Sequence, residues 1–176
     1  FFSGRSDRLA ALWYKRPLHG DFSIEYFVGN KMMRERGEQY EYAQDMNVTI
    51  CADGDDLSSG YSFIFGGRDN TQTALFRKGE LWAEAVGARR VLIDRKGLHR
   101  RWYHIRIART GALIQAWVDG MLVVSKQDDD PLPGRHFAIW TYNNGIMIAR
   151  VRIAAEGIGP RESPDIVRRP TRQEFY

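Results

Sequence analysis

Apolar and polar positions alternate in short runs along most of the chain, and turn residues separate the runs. Leu9 to Lys15 reads as a first strand. After Gly20-Asp21, Phe22, Ile24, Tyr26 and Val28 fall on one face of a second strand, with Ser23 and Glu25 on the other. Asn30 to Asp45 is charged and irregular, as expected of a long loop with a short strand. Met46 to Ala52, Tyr61 to Phe65, Thr71 to Arg77 and Leu81 to Val86 continue the series, the last two joined around Lys78-Gly79-Glu80. Trp102 to Ala108 and Ala112 to Ser125 follow, the second bent at Asp119-Gly120. His136 to Tyr142 and Ile146 to Ala155 are predicted to form a closing hairpin, because Asn143-Asn144-Gly145 places an Asn-Gly turn between apolar runs. This spacing predicts an all-β protein, an antiparallel β-sandwich of about eleven to thirteen strands. No amphipathic helix pattern of ten or more residues competes with it.

The pattern changes after Glu156, where Gly157, Gly159, Pro160, Pro164 and Pro170 punctuate a polar stretch rich in Arg and Glu. The expected organisation is a sandwich over 1–156 and a polar C-terminal extension over 157–176. A chain of 176 residues buries enough surface to hold a core without a metal or a disulfide. Cys51 is the only cysteine, so no intrachain disulfide forms; beside Ile50 in a strand it reads as a small buried apolar residue. No run of 18 apolar residues is present, so no membrane-spanning helix is expected. The opening Phe1-Phe2-Ser3-Gly4 lacks an initiator Met, which suggests a processed form or a piece of a longer polypeptide.

Charge narrows the function classes only a little. There are 26 basic and 22 acidic residues, a net of +4. The densest basic stretch, Arg89 to Arg109, carries no nucleic-acid-binding motif and reads as a solvated strand-and-loop surface, so no nucleic-acid partner is expected.

The hairpin from Trp102 to Asp119 is the most informative segment. A turn at Thr110-Gly111 would set Arg109 opposite Ala112 and bring Ile107 to Ile114, Ile105 to Ala116 and Tyr103 to Val118 as core pairs. The other face would then set Arg106 opposite Gln115, His104 opposite Trp117 and Trp102 opposite Asp119. Two indoles, an imidazole, a guanidinium, an amide and a carboxylate on one face suit a sugar. Indoles stack on the C–H faces of pyranose rings, and planar polar groups hydrogen-bond the hydroxyls. The plainer alternative is an outward surface whose tryptophans are covered by a loop or by the C-terminal extension.

Other chemistry is thinner. His19, His99, His104 and His136 lack the close spacing of a zinc site. Asp53-Gly54-Asp55-Asp56 and Asp128-Asp129-Asp130 offer oxygen donors of the kind calcium takes, without the EF-hand spacing. Calcium is therefore a secondary expectation, and no residue is assigned as a metal ligand. The chain has no Gly-x-Ser-x-Gly elbow, no phosphate-binding glycine loop and no Glu-x-Asp-x-x-Glu strand. No residue is assigned a catalytic role.

Trp102-Tyr103-His104-Ile105-Arg106-Ile107, followed by Ile114-Gln115-Ala116-Trp117-Val118-Asp119-Gly120, resembles the concanavalin A-like lectin/glucanase superfamily. Its laminin G-like and 3-keto-disaccharide hydrolase (domain of unknown function 1080) members repeat this pattern: a Trp-x-His strand, a hairpin, and a strand ending in Val-Asp-Gly. Gly20-Asp21-Phe22, the strand Gly60 to Gly67, Asp130-Pro131-Leu132-Pro133-Gly134 and the strand Ile148 to Ile153 fit the same layout. The resemblance covers residues 9 to 155, most densely 102 to 153. It implies a jelly-roll sandwich in a bacterial extracytoplasmic (periplasmic or secreted) protein. The superfamily includes lectins, glycosidases, lyases and adhesion modules, so fold alone does not decide activity. The Asn-Ser-Gly-Ile segment of the keto-disaccharide hydrolase members is absent.

The leading expectation is a non-catalytic carbohydrate-binding or adhesion-type module. Trp102, Trp117 and Trp140 would stack on the sugar, and His104, Arg106 and Gln115 would hydrogen-bond it. One alternative is a glycoside-processing enzyme with Glu25 or Asp119 as acid or base. Another is a structural module in a larger assembly, its face or its tail, Pro160 to Tyr176, packed against other domains or chains.

Overall fold

The computed structural model describes residues 2–31, 42–95 and 101–161. Most of the charged loop after Asn30, His99 and nearly all of the C-terminal tail lie outside the described residues. Ten strands account for most of the rest: β1 (Phe2–Trp13), β2 (Leu18–Asn30), β3 (Asn47–Ala52), β4 (Tyr61–Gly66), β5 (Gln72–Arg77), β6 (Glu80–Glu84), β7 (Tyr103–Thr110), β8 (Leu113–Val118), β9 (Met121–Gln127) and β10 (His136–Ile158). Every pairing between them is antiparallel, in the order β6-β5-β4-β3-β10-β2-β7-β8-β9, with β1 along β10. The all-β sandwich expected from the alternation is the fold found. Its strand count among the described residues is ten, below the eleven to thirteen expected.

Two turns differ from those expected, with opposite effects on the count. Asp119-Gly120 does not bend one strand; it is the turn between β8 and β9, with φ of 51° and 81° at its two residues. Both angles are positive, as a tight hairpin turn requires. Asn143-Asn144-Gly145, in contrast, closes no hairpin. Asn144 and Gly145 pair with Ser6 and Arg5 of β1, so β10 continues through them. The Asn144 side chain points inward and donates to the Gln44 carbonyl. Ladder hydrogen bonds to β1 outweigh the local turn preference. The strand also runs past the expected boundary at Glu156, pairing Gly157 with His19 and Ile158 with Leu18.

β10 makes two layers out of one ladder. Its first part lies between β3 and β1, and its second between β1 and β2. The inward faces of both layers share one core, which includes Val48, Ile50, Phe63, Phe65 and Leu75 from one side and Ile24, Tyr26, Ile105, Ile107 and Val118 from the other. Phe65 and Tyr103 meet across it edge to face, with ring centres 5.0 Å apart. Cys51 lies in this core, as expected of a small apolar residue, and burial pushes its thiol up to about 11 against the opposing pull of Arg109.

A second, smaller cluster forms on the outer face of β3, β4, β5 and the first part of β10. It comprises Leu57, Ile64, Ala74, Phe76, Ala138 and Trp140, with Leu9, Ala11 and Trp13 packed against it. Trp140 is 1% exposed, and its Nε1 donates to Thr49 Oγ1 at 2.9 Å. The sequence-based placement of Trp140 on a sugar-stacking surface is corrected here. It is a core residue whose polar edge is satisfied inside the protein.

The loop between β9 and β10 is tied to β4 and β5 by one polar knot. Asp128 accepts from the Tyr61 hydroxyl, from Arg77 Nε at 2.8 Å and from its own loop at the Asp130 amide. Tyr61 in turn accepts from the Leu132 amide at 2.9 Å. Beyond it the loop presses against β3, where a Cβ on Gly134 would stand 2.1 Å from the Cys51 carbonyl oxygen, so only glycine fits. Burial alone would raise the Asp128 carboxyl. The Tyr61 and Arg77 hydrogen bonds outweigh it and hold the group below the ordinary carboxylate range.

A group held below its unfolded value stabilises the fold above the unfolded pKa, about 4, and loses that contribution as pH falls through the folded value. Asp128→Asn is therefore expected to be less stable than the parent at neutral pH. The gap should close toward about pH 3. Denaturation midpoints at the two pH values test this, and a constant gap would contradict it. Tyr26 offers a second test. Its hydroxyl is fully buried without a protein partner, so Tyr26→Phe is expected to leave stability unchanged or raise it by up to about 2 kcal/mol. A clear loss of stability on denaturant unfolding would refute this.

Candidate functional site

The turn of the β7–β8 hairpin is Gly111-Ala112, one position later than expected. Gly111 sits at φ 57°, and its amide donates to Asp21 Oδ1 at 2.6 Å. Thr110 consequently pairs with Leu113, Ile107 with Ala116 and Ile105 with Val118, a register two residues away from the sequence-based one. A shift of two keeps every side chain on its expected face. It changes the neighbours: Arg106 stands opposite Trp117, and Gln115 opposite Ala108.

With β2 and β10 alongside, the outer face of this layer orders itself in rows. One row runs Arg152, Glu25, Arg106, Trp117 and Leu122 across β10, β2, β7, β8 and β9. The next sets Ala149, Phe27 and His104 side by side. Glu25 Oε2 lies 3.4 Å from His104 Nε2, and its other oxygen lies 3.8 Å from Arg106 Nε. The Arg106 guanidinium carbon stands 4.5 Å from the Trp117 ring centre, so indole and guanidinium form one stacked unit. Phe27 and His104 pack with ring centres 5.0 Å apart.

Asp119 anchors the end of β7 at this face. Its Oδ1 accepts from the His104 amide at 2.8 Å, and its Oδ2 pairs with Arg101. Trp102 precedes β7 and is 36% exposed. Its indole lies over Gly29, where a Cβ would come 3.4 Å from a ring atom. Five of the six residues expected from sequence thus lie on one face: Trp102, His104, Arg106, Gln115 and Trp117. Trp140 lies on the other layer. Glu25 was read as a possible acid or base and is here a carboxylate lying between His104 and Arg106. Phe27, Arg150 and Arg152 were missed. Only the pairing of β2 with both β7 and β10 brings them to this face.

A cleft of about 510 Å³ opens away from this face, where β3 meets the loop before β10, lined by Cys51, Asp53, Lys78, Pro133, Arg135 and His136 among others. None of the six residues expected to bind a sugar lines it. The two acidic turns have internal work. Asp128 is engaged as described above, and Asp56 accepts from the amide and hydroxyl of Ser58. Among the described residues no group of three or more His, Cys, Asp or Glu side chains could hold a metal ion, and no helix is long and apolar enough to cross a membrane.

The class defined by this architecture is the antiparallel jelly-roll β-sandwich. No family model matches the chain, and no curated protein matches its sequence. Among solved structures it is similar to carbohydrate-binding module CBM66 from Bacillus subtilis, at 17% identity over 87% of this chain and 86% of that one, with a TM-score of 0.61. It is also similar to a Bacillus subtilis protein of unknown function with a galectin-like fold (11% identity, 90% and 82% covered, TM-score 0.63). A sialidase matches over 88% of this chain but 15% of its own (11% identity, TM-score 0.56). At such identities the likeness is one of fold. The laminin G-like and keto-disaccharide hydrolase assignments are finer than these likenesses reach.

Asp119→Ala removes an acceptor from both the His104 amide and Arg101. It is expected to cost about 1 kcal/mol and to speed hydrogen exchange at the His104 amide. Unchanged exchange there would show that Asp119 does not hold this end of β7.

Proposed function

We propose that this chain is a carbohydrate-binding module whose ligand lies on the outer face of β2, β7 and β8. The observation that carries this reading is the composition of that half-exposed face. Trp102 and the Trp117–Arg106 stack supply apolar and planar surface, while His104, Glu25 and Gln115 supply donors and acceptors beside it. All except Trp102, which adjoins β7, are mounted on strands rather than loops, so a ligand would meet groups already in place. The similarity in fold to a carbohydrate-binding module supports the reading.

Affinity electrophoresis against a panel of soluble polysaccharides tests it. Trp117→Ala and Trp102→Ala are each expected to weaken retention by the binding polymer about tenfold or more, with thermal unfolding still cooperative. Lys78→Ala, in the separate cleft, is expected to leave retention unchanged. Loss with Lys78→Ala but not with Trp117→Ala would move the site to the cleft. Retention by none of the polymers would refute the reading. Release of new reducing ends that disappears in Glu25→Gln would mark an enzyme instead.

A further inference from the structure

The β10 side of the aromatic face carries two exposed arginines that form no ion pair among the described contacts. Arg152 stands opposite Glu25 in the β10–β2 register. The Glu25 carboxylate nevertheless lies toward the other neighbour, within 3.4 Å of His104 and 3.8 Å of Arg106. Arg150 sits in the bulge between Ala149 and Arg152 with φ 53°, a left-handed conformation unfavourable for a residue with a side chain. Bulges re-aim side chains and recur beside functional sites. This one brings the Arg150 guanidinium carbon to 5.9 Å from the Phe27 ring centre, at the margin of the site.

A third cation is incompletely partnered. Arg106 Nε is buried with no protein acceptor within hydrogen-bond distance, Glu25 at 3.8 Å being too far. Around Glu25, four arginines, Arg101, Arg106, Arg150 and Arg152, therefore meet two carboxylates, and one of those, Asp119, is taken by Arg101; Asp21 and Glu156, farther along the same strands, accept from the Gly111 and Asp21 amides. A neutral glycan offers nothing to match that excess.

We propose that the glycan taken by this face is acidic. A carboxylate or sulfate on one sugar would be held by Arg150 and Arg152 while a ring packs at the Trp117–Arg106 stack. This rests on the reading of the face as a carbohydrate site and names the class of sugar. Guanidinium groups present planar paired donors that match carboxylate and sulfate oxygens, and such charge-assisted hydrogen bonds are stronger than those to hydroxyls. The excess positive charge also speeds encounter with a polyanion.

The test uses two matched pairs of polymers at about 0.15 M salt, where long-range attraction is screened: polygalacturonate against its carboxyl-reduced form, and dextran sulfate against dextran. Titration calorimetry on the full chain is expected to show a preference of about tenfold or more for the charged member of one pair, and which pair shows it distinguishes carboxylate from sulfate. The double variant Arg150→Asn/Arg152→Gln should abolish the preference. Asn tolerates the left-handed conformation at position 150, so the bulge is kept. Trp117→Ala should weaken both members of the pair. Equal, Trp117-dependent binding of charged and neutral polymers would leave the carbohydrate reading standing and overturn the acidic one. A preference that survives in the double variant would assign it to the overall charge of the chain and overturn the proposal. Binding to none of the four polymers would overturn it as well.

Discussion

One continuous strand holds the architecture together. β10 runs for 23 residues and pairs with β1, β2 and β3. Neither layer is complete without it, because β3 and β2, which pair with β4 and β7 on one edge, both pair with it on the other. An antiparallel sheet with one apolar face must cover that face, and threading one strand through both layers keeps the two apolar faces opposed. The placement of the aromatic face follows. β2 lies against β10, β7 against β2 and β8 against β7, so groups on four strands fall into rows.

Much of the fold could be read along the chain because alternation reports burial directly. Phe22, Ile24, Tyr26 and Val28 all face the core, as their spacing requires. The site was legible to the extent that it lies within one hairpin. Trp102, His104, Arg106, Gln115 and Trp117 share a face because parity along β7 and β8 survives the two-residue error in register. Contributions from non-neighbouring segments were not legible. Nothing in Ile148 to Ile153 reveals that Arg150 and Arg152 lie beside Glu25. Trp140 misled for a related reason: alternation separates the two faces of a strand but does not say that both are buried, as they are where β10 lies between β3 and β1.

The outer faces of the two layers therefore differ in kind. Around Trp140 the surface is apolar, closed and internally hydrogen-bonded through Thr49 and Ser62. Around Trp117 the aromatic rings remain half-exposed and their polar neighbours are paired loosely, at 3.4 and 3.8 Å. Tight satisfaction rigidifies, whereas incomplete satisfaction leaves capacity for a ligand.

β10 also explains why one strand looked like two. Its inward residues are odd-numbered at Phe137 and Ile139, even-numbered at Ile146 and Ile148, and odd-numbered again at Ile153 and Ala155. The phase changes on either side of the middle stretch, and each change coincides with a left-handed residue, Asn143 at φ 44° and Arg150 at φ 53°. Counted in twos, the segment has three phases; traced through its hydrogen bonds, it is one strand. Those two positions act as joints in a single rod, and the second of them also aims a guanidinium at the edge of the aromatic face.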